Sequence, residues 1–269
     1  MMATAWTLER ATPPERASIR HISTADIWDS LRRGWEDFLA NPTQLIFLAI
    51  IYPIIGLIAA NAMAGRAIMP LFWPMVSGFA LIGPIAALGV YELSRRREKG
   101  LPVSWVNALD VRHSPAITSI LGLGLLLLVI FVAWLLVAQA IYAATIGDMG
   151  PTSVSAFLDR VFGTPEGLWL ILAGNAVGFV FAVVVLMLTV VSFPMLLDRA
   201  AEGRAVDAAT AIRTSVRAVL ANPAPMALWG LIVAVLLLLG CVPLFVGLAI
   251  VMPVLGHATW HLYRKTVAY

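Results

Sequence analysis

Apolar residues gather into long, nearly uncharged runs along this chain, with the polar residues between them. The runs predict six membrane-spanning helices over about 44–61, 70–93, 117–145, 167–197, 224–241 and 243–263. A span needs about 20 apolar residues, and in lipid every backbone N–H and C=O must be bonded within a helix. The third and fourth runs are long enough to tilt or to project beyond the hydrocarbon. Only Gly240-Cys241-Val242-Pro243 parts the last two, which predicts a tight hairpin, with a re-entrant pair as the alternative.

Each odd-numbered run follows a short segment closed by proline. The first closes at Leu39-Ala40-Asn41-Pro42 and the third at Leu220-Ala221-Asn222-Pro223, the same four residues; the second closes at Arg112-His113-Ser114-Pro115. In the first, Ile27, Leu31, Trp35 and Phe38 recur every three to four residues, opposite Asp29, Arg32, Arg33 and Glu36. In the third, Ala209, Ile212, Val216 and Val219 oppose Arg213 and Arg217. These are expected to be amphipathic helices lying at headgroup level, apolar face down, the first capped by Ser23 or Thr24. Proline disfavours helix in the residue before it and suits the first turn of the next helix. Asn41 and Asn222 are good N-caps, so Asn-Pro reads as a corner between a flat helix and a spanning one.

The even-numbered runs carry Pro84, Pro194 and Pro253, expected to kink them. Pro84 leads to Tyr91, Leu93 and Arg95, and Pro253 leads at identical offsets to Trp260, Leu262 and Arg264. The expected architecture is therefore all-α: three parallel hairpin units over about 24–100, 101–202 and 203–263, each with an interfacial helix in front. Parallel units differ from the inverted repeats of many secondary transporters and suit a pseudo-threefold arrangement about the membrane normal. Residues 1–22 read as a disordered cytosolic tail, 23–263 as one transmembrane domain and 264–269 as a cytosolic end.

Composition agrees with a membrane protein. The 269 residues are 61% hydrophobic and 12% charged, with a mean hydropathy of +0.90, where a soluble domain has roughly a quarter of its residues charged. The mixed, polar first twenty residues do not read as a signal peptide. The single cysteine, Cys241, excludes an internal disulfide and a multi-cysteine metal cluster. The net charge of +3 reflects orientation rather than nucleic-acid binding. Arg95, Arg96, Arg97 and Lys99 follow the second run, Arg199, Arg204, Arg213 and Arg217 the fourth, and Arg264 and Lys265 the sixth; the other side holds only Arg66 and Arg160. Positive loops stay in the cytoplasm, so both termini are expected there, in a bacterial inner membrane.

Few residues offer chemistry. His257 and His261, four apart on one helical face, are weak metal or haem candidates, with an interfacial role among Trp260, Tyr263 and Arg264 the plainer reading. Glu92 and Asp198 are expected to pair with Arg95 and Arg199. Asn175 and Gln139 are expected to bond between helices, and Gly174 with Gly178 to allow close helix approach. Between Gly147 and Glu166, the residues Val154, Phe157, Leu158 and Val161 predict one short outer helix. The sequence has no phosphate loop, dinucleotide fingerprint or nucleophile elbow.

The stretch from Ile27 through Asn41-Pro42, the proline-bearing run through Pro84 and the basic Arg95-Arg96-Arg97 exit resemble the DUF2189 family of bacterial integral membrane proteins. The resemblance implies an inner-membrane protein and assigns no activity. Some members carry a cytochrome c oxidase subunit I label, but four histidines and six runs do not supply that subunit's haem and copper ligands. The leading expectation is a non-enzymatic accessory or structural protein, without a cofactor, that binds membrane lipids, another membrane protein or a second copy of itself. Arg32, Arg33, Arg95, Arg96, Arg97, Arg213 and Arg217 are its candidate contacts. The alternatives are a small-molecule transporter or channel with a path among the prolines, and a redox subunit using His257 and His261.

Overall fold

The computed structural model describes residues 17–43, 54, 69–147 and 153–269. The first expected span, 44–61, and residues 1–16 of the expected tail lie outside these, apart from the single helical residue Ile54. Arg66 and the side chain of Val154 lie outside them too.

The chain is built of helices. In order, they are α1 (Thr24–Ala40), α2 (Phe72–Ala86), α3 (Leu88–Glu98), α4 (Ile117–Thr145), α5 (Val154–Gly163), α6 (Pro165–Thr189), α7 (Ser192–Ala201), α8 (Ala208–Ala221), α9 (Pro223–Cys241) and α10 (Leu248–Thr266). A 3-10 helix over Trp105–His113 occupies the place of the second lead-in. Two residue pairs form a ribbon, β1 (Ser18–Ile19) antiparallel to β2 (Val267–Ala268). Residues expected as the end of a disordered tail are thus tied to the last residues of the chain.

Among the described residues, three helical stretches are long and apolar enough to cross a membrane: Ile117–Thr145, Pro165–Ala201 taken through the turn at Val190-Val191, and Pro223–Cys241. They coincide with expected spans three, four and five. Expected span two is divided into α2 and α3 at Ala87, three residues beyond Pro84. The division is shallow, because Ala87 N–H still donates to Gly83 O at 3.0 Å and Tyr91 N–H to Ala87 O at 2.9 Å. Pro194 lies in the first turn of α7, where its missing N–H has no helical partner to lose. Pro253 sits within the unbroken α10. The three prolines therefore do not make three equivalent kinks. Expected span six starts later than expected, at Leu248, because 242–247 turn the chain, with Gly247 packed against the backbone of Gly240.

The lead-in helices seat themselves differently from the expectation. On α1 the buried face is Ile27, Ser30, Gly34, Asp37 and Phe38, while Trp35 is 46% exposed. On α8 it is Ala211, Thr214, Ser215 and Ala218, with Ile212, Val216 and Val219 half-buried and Ala209 exposed. Ile27 and Phe38 are buried as expected, and small residues complete both seams, where these helices lie against other helices. A Cβ at Gly34 would fall 2.6 Å from the Ala258 backbone nitrogen, so α1 and α10 touch backbone to backbone. Counted back from Asn41 and from Asn222, the buried positions eleven, seven and four residues earlier coincide (Ser30, Gly34, Asp37; Ala211, Ser215, Ala218).

The core sits at one end. Every residue of α7 from Ser192 to Ala200 is buried, as are Tyr91, Leu93, Trp260 and Tyr263. There the C-terminal parts of α3, α7 and α10 pack on one another. Away from it, α4, α6 and α9 expose Leu125, Leu136, Phe179, Val180, Leu231 and Leu238, as helices facing lipid do.

Candidate functional site

The charged end holds the chemistry. Three helices bring carboxylates and bases there at helix ends, where side chains leave the apolar layer: Glu92 through Glu98 on α3, Asp198 and Arg199 on α7, and His257 through Lys265 on α10. The seam of α1 adds Asp37.

Asp37 is the hub of a buried polar cluster. Its Oδ2 accepts from Ser94 Oγ at 2.7 Å and lies 2.9 Å from His261 Nε2. Its Oδ1 faces Arg97 Nε at 3.2 Å. Ser94 Oγ is also 2.7 Å from His257 Nδ1. Asp37, Ser94 and His257 are 6%, 1% and 1% exposed, so the cluster is sealed from water except through His261 and Arg97. Burial alone would raise the Asp37 carboxyl, but the bonds from His261 and Ser94 hold it below the usual carboxylate range. His257 Nε2 is buried with no partner among the described residues.

A second cluster locks α10 to α7 and α3. Tyr263 OH donates to Asp198 Oδ2 at 2.8 Å, and Arg264 reaches the same oxygen at 3.0 Å. Arg264 also bonds Glu98 at 3.0 Å, whose other oxygen accepts from Trp260 Nε1 at 2.9 Å. Asp198 thus pairs with Arg264 of another helix rather than with neighbouring Arg199, because the helical turn points Arg199 toward Glu202 at 3.0 Å and over the Tyr269 ring. Glu92 pairs with Arg95 as expected, at 2.7 Å, and also with Arg96.

The expected contact arginines fall into three groups. Arg95 and Arg96 are half-buried and paired, Arg95 to Glu92 and Arg96 to Glu92 and Asp110, while Arg97 is exposed and reaches back to Asp37 and the Glu36 carbonyl. Arg32 and Arg33 are exposed on α1 and bonded to Asp29, with Arg32 also bonded to Glu36. Arg213 and Arg217 are exposed on α8 and make no ion pair among the described residues.

Of the corners, Asn222 stands at the N-cap of α9 without capping it. Its side chain instead clamps the N-terminal segment, accepting from Ile22 N–H at 2.8 Å and donating to Arg20 O at 3.0 Å. Asn41 ends α1, and Pro42 leads into the undescribed stretch; Pro115 and Pro223 precede and open the spans α4 and α9. Among the described residues Asn175 and Gln139 form no bond between helices: both are exposed, and Asn175 donates to Ile171 O of its own helix.

An open cleft of ≈ 430 Å³ between α1, α3 and α10 reaches Asp37 and His261, with Arg33, Arg97, Arg264 and Lys265 around it. No group of three or more His, Cys, Asp or Glu side chains suited to a metal occurs among the described residues. Ser94 is too deep to act as a nucleophile on a substrate. What the geometry does is staple: each cluster joins helices distant in sequence. The histidine spacing pointed to this place, but Asp37 was missed. Its signal is an acidic residue beside Phe38, on the small-residue side of an otherwise amphipathic helix.

No curated protein and no solved structure matches the chain. The segment that a family model does match excludes Asn41-Pro42 and α10, so of the Asp37 cluster only Ser94 and Arg97 lie within it. Residues 71–198, just under half of the chain, match DUF2189, described as a predicted integral membrane protein, and this supports the resemblance read from the sequence.

Proposed function

We propose that this is a six-span inner-membrane protein of three parallel units that acts as a non-enzymatic accessory factor, holding anionic lipid headgroups around its charged end. Two features support the architecture. The β1–β2 ribbon puts residues 18–19 and 267–268 on one side, which requires an even number of crossings between them; the three apolar spans alone leave an odd one. The lead-ins also pack in a cycle: α1 on α10, the 105–113 helix on α3, and α8 on α7, so each lead-in rests on the exit helix of the preceding unit and the first closes on the last. Loop arginines and lysines favour a cytoplasmic charged end.

The observation that carries the function is how charge is distributed at this end. Arg95, Arg96 and Arg97 are paired with carboxylates of the fold, while the third lead-in presents arginines without ion pairs among the described residues and the first two present tryptophans outward. Arg213 and Arg217 stand exposed on α8; Trp28 and Trp35 on α1 and Trp105 on the 3-10 helix are 58%, 46% and 60% exposed. Tryptophan at headgroup depth and arginine facing phosphate are the usual means of holding a membrane surface, and an anionic surface contributes about 1 kcal/mol per nearby arginine.

Native mass spectrometry of protein released from mixed-lipid membranes tests this. Anionic lipid should be retained over zwitterionic lipid, and Arg213→Gln with Arg217→Gln should reduce the retained number. Equal retention of both lipid classes, or no change in the variant, would overturn the reading.

A further inference from the structure

The exposed amide of Asn175 lies in the middle of an ordered stripe. Leu168, Leu172, Asn175, Phe179 and Ala182 are all exposed on α6. Their separations of four, three, four and three residues are those of a helix-pairing seam, in which alternate steps of this kind keep one stripe facing a neighbour. Asn175 stands ten residues from the start of α6, about 15 Å along the axis at 1.5 Å per residue and so near the middle of a hydrocarbon layer about 30 Å thick. A primary amide at that depth carries two donors and an acceptor. Here one donor returns to Ile171 O at 2.7 Å, and no other bond to the side chain is formed among the described residues. Lipid has nothing to offer the rest.

From this seam we infer that α6 is the interface of a homodimer, with Asn175 of each copy bonding the other. The occupant is a second copy for a geometric reason. Two copies inserted in the same orientation bring their α6 helices together parallel, with both Asn175 residues at the same depth. An amide is complementary to itself, donor to acceptor both ways across a two-fold axis. A single asparagine in an apolar seam is also a known way of fixing register and partner number. The inference rests on α6 being a membrane span, as proposed above, but not on the arginine collar.

The test measures dimer fraction in lipid bilayers by single-molecule photobleaching over a range of protein densities. Wild type should dimerise, Asn175→Leu should weaken the dimer by about 3- to 30-fold, the range of one interhelical polar contact in a membrane, and Asn175→Gln should keep most of it. A second readout is disulfide trapping in a Cys241→Ser background: Leu172→Cys and Phe179→Cys should cross-link between copies, Ala176→Cys and Val180→Cys should not. A protein monomeric at every density, a dimer indifferent to Asn175→Leu, or cross-linking without the seam's periodicity would each overturn the inference. So would capture of a different protein at the seam. Loss of anionic lipid in the Arg213 and Arg217 variant with an intact dimer would show that the two surfaces are separate.

Discussion

Replacing Asp37 with alanine tests whether the buried cluster staples α1 to the body of the protein. The change removes the acceptor that Ser94 Oγ and His261 Nε2 share, at 2.7 and 2.9 Å, and the carboxylate that faces Arg97. Ser94 keeps its contact with His257. Arg97, its side chain 40% exposed, turns to water. Breaking a fully buried ion pair costs about 3–5 kcal/mol, and orphaning one buried polar group about 1–3 kcal/mol. Partial rehydration of Arg97 puts Asp37→Ala near the overlap, about 3 kcal/mol, or roughly 6–12 °C in Tm for a domain of this size. Thermal scans of tryptophan fluorescence in lipid nanodiscs measure it directly. Arg33→Gln is the control, since it removes an exposed pair to Asp29 and should cost less than about 1 kcal/mol. An Asp37→Ala shift no larger than that of the control would refute the stapling argument.

Gly34→Val places carbon where the Ala258 backbone already lies; the overpacking should cost about 1–3 kcal/mol or more and raise hydrogen exchange along α1. Asn222→Ala unclamps residues 20–22 and should raise exchange at Arg20 and Ile22 while leaving the spans protected. Asp26, Asp29 and Asp37 all have carboxyls held below their ordinary range, Asp26 and Asp29 mainly by their hydrogen bonds. Their contribution to stability is therefore complete above the ordinary carboxylate pKa of about 3.9 and fades as pH falls through the lower folded values; Tm should drop on acidification below about pH 4, and less so in Asp37→Asn.

Element positions were legible where apolar content alone decides them. α4 occupies the expected 117–145 to the residue, α5 lies in the expected outer loop, and α1 and α8 end at their Asn-Pro corners. Faces were legible in part. Ile27 and Phe38 are buried as the period predicts, while Trp35 and Ala209 face outward. Large residues lose nothing by facing lipid, and helices approach closely through small ones, so Ser30 and Gly34, Ser215 and Ala218 complete the seams. Asp37 has no signal in the period, since it falls between the apolar face and the charged one. Its histidine partners were visible as a pair, yet the carboxylate joining them comes from a helix more than two hundred residues earlier. The two-residue strands β1 and β2 are too short for any period to register.

The repeat itself separates what the cluster contributes from what seating a lead-in requires. At the register of Asp37, the third lead-in carries Ala218, and α8 still packs on α6 and α7 through Ala211 and Ser215. A carboxylate is thus unnecessary for seating; the polar cluster is an addition at the junction where the first lead-in closes on the last helix. Buried ion pairs are often replaceable by apolar residues at no net cost, because two desolvation penalties vanish with the attraction. Asp37→Ala combined with Ser94→Ala, His257→Leu and His261→Leu removes every buried partner together and leaves only the part-exposed Arg97 to hydrate. The fourfold variant should recover at least half of the Tm lost in Asp37→Ala alone. If the losses instead add, the cluster is the main energetic bond of the junction, and the comparison with Ala218 fails. If stability returns but α1 exchanges faster than in wild type, the cluster serves to select one seating of α1 rather than to strengthen it.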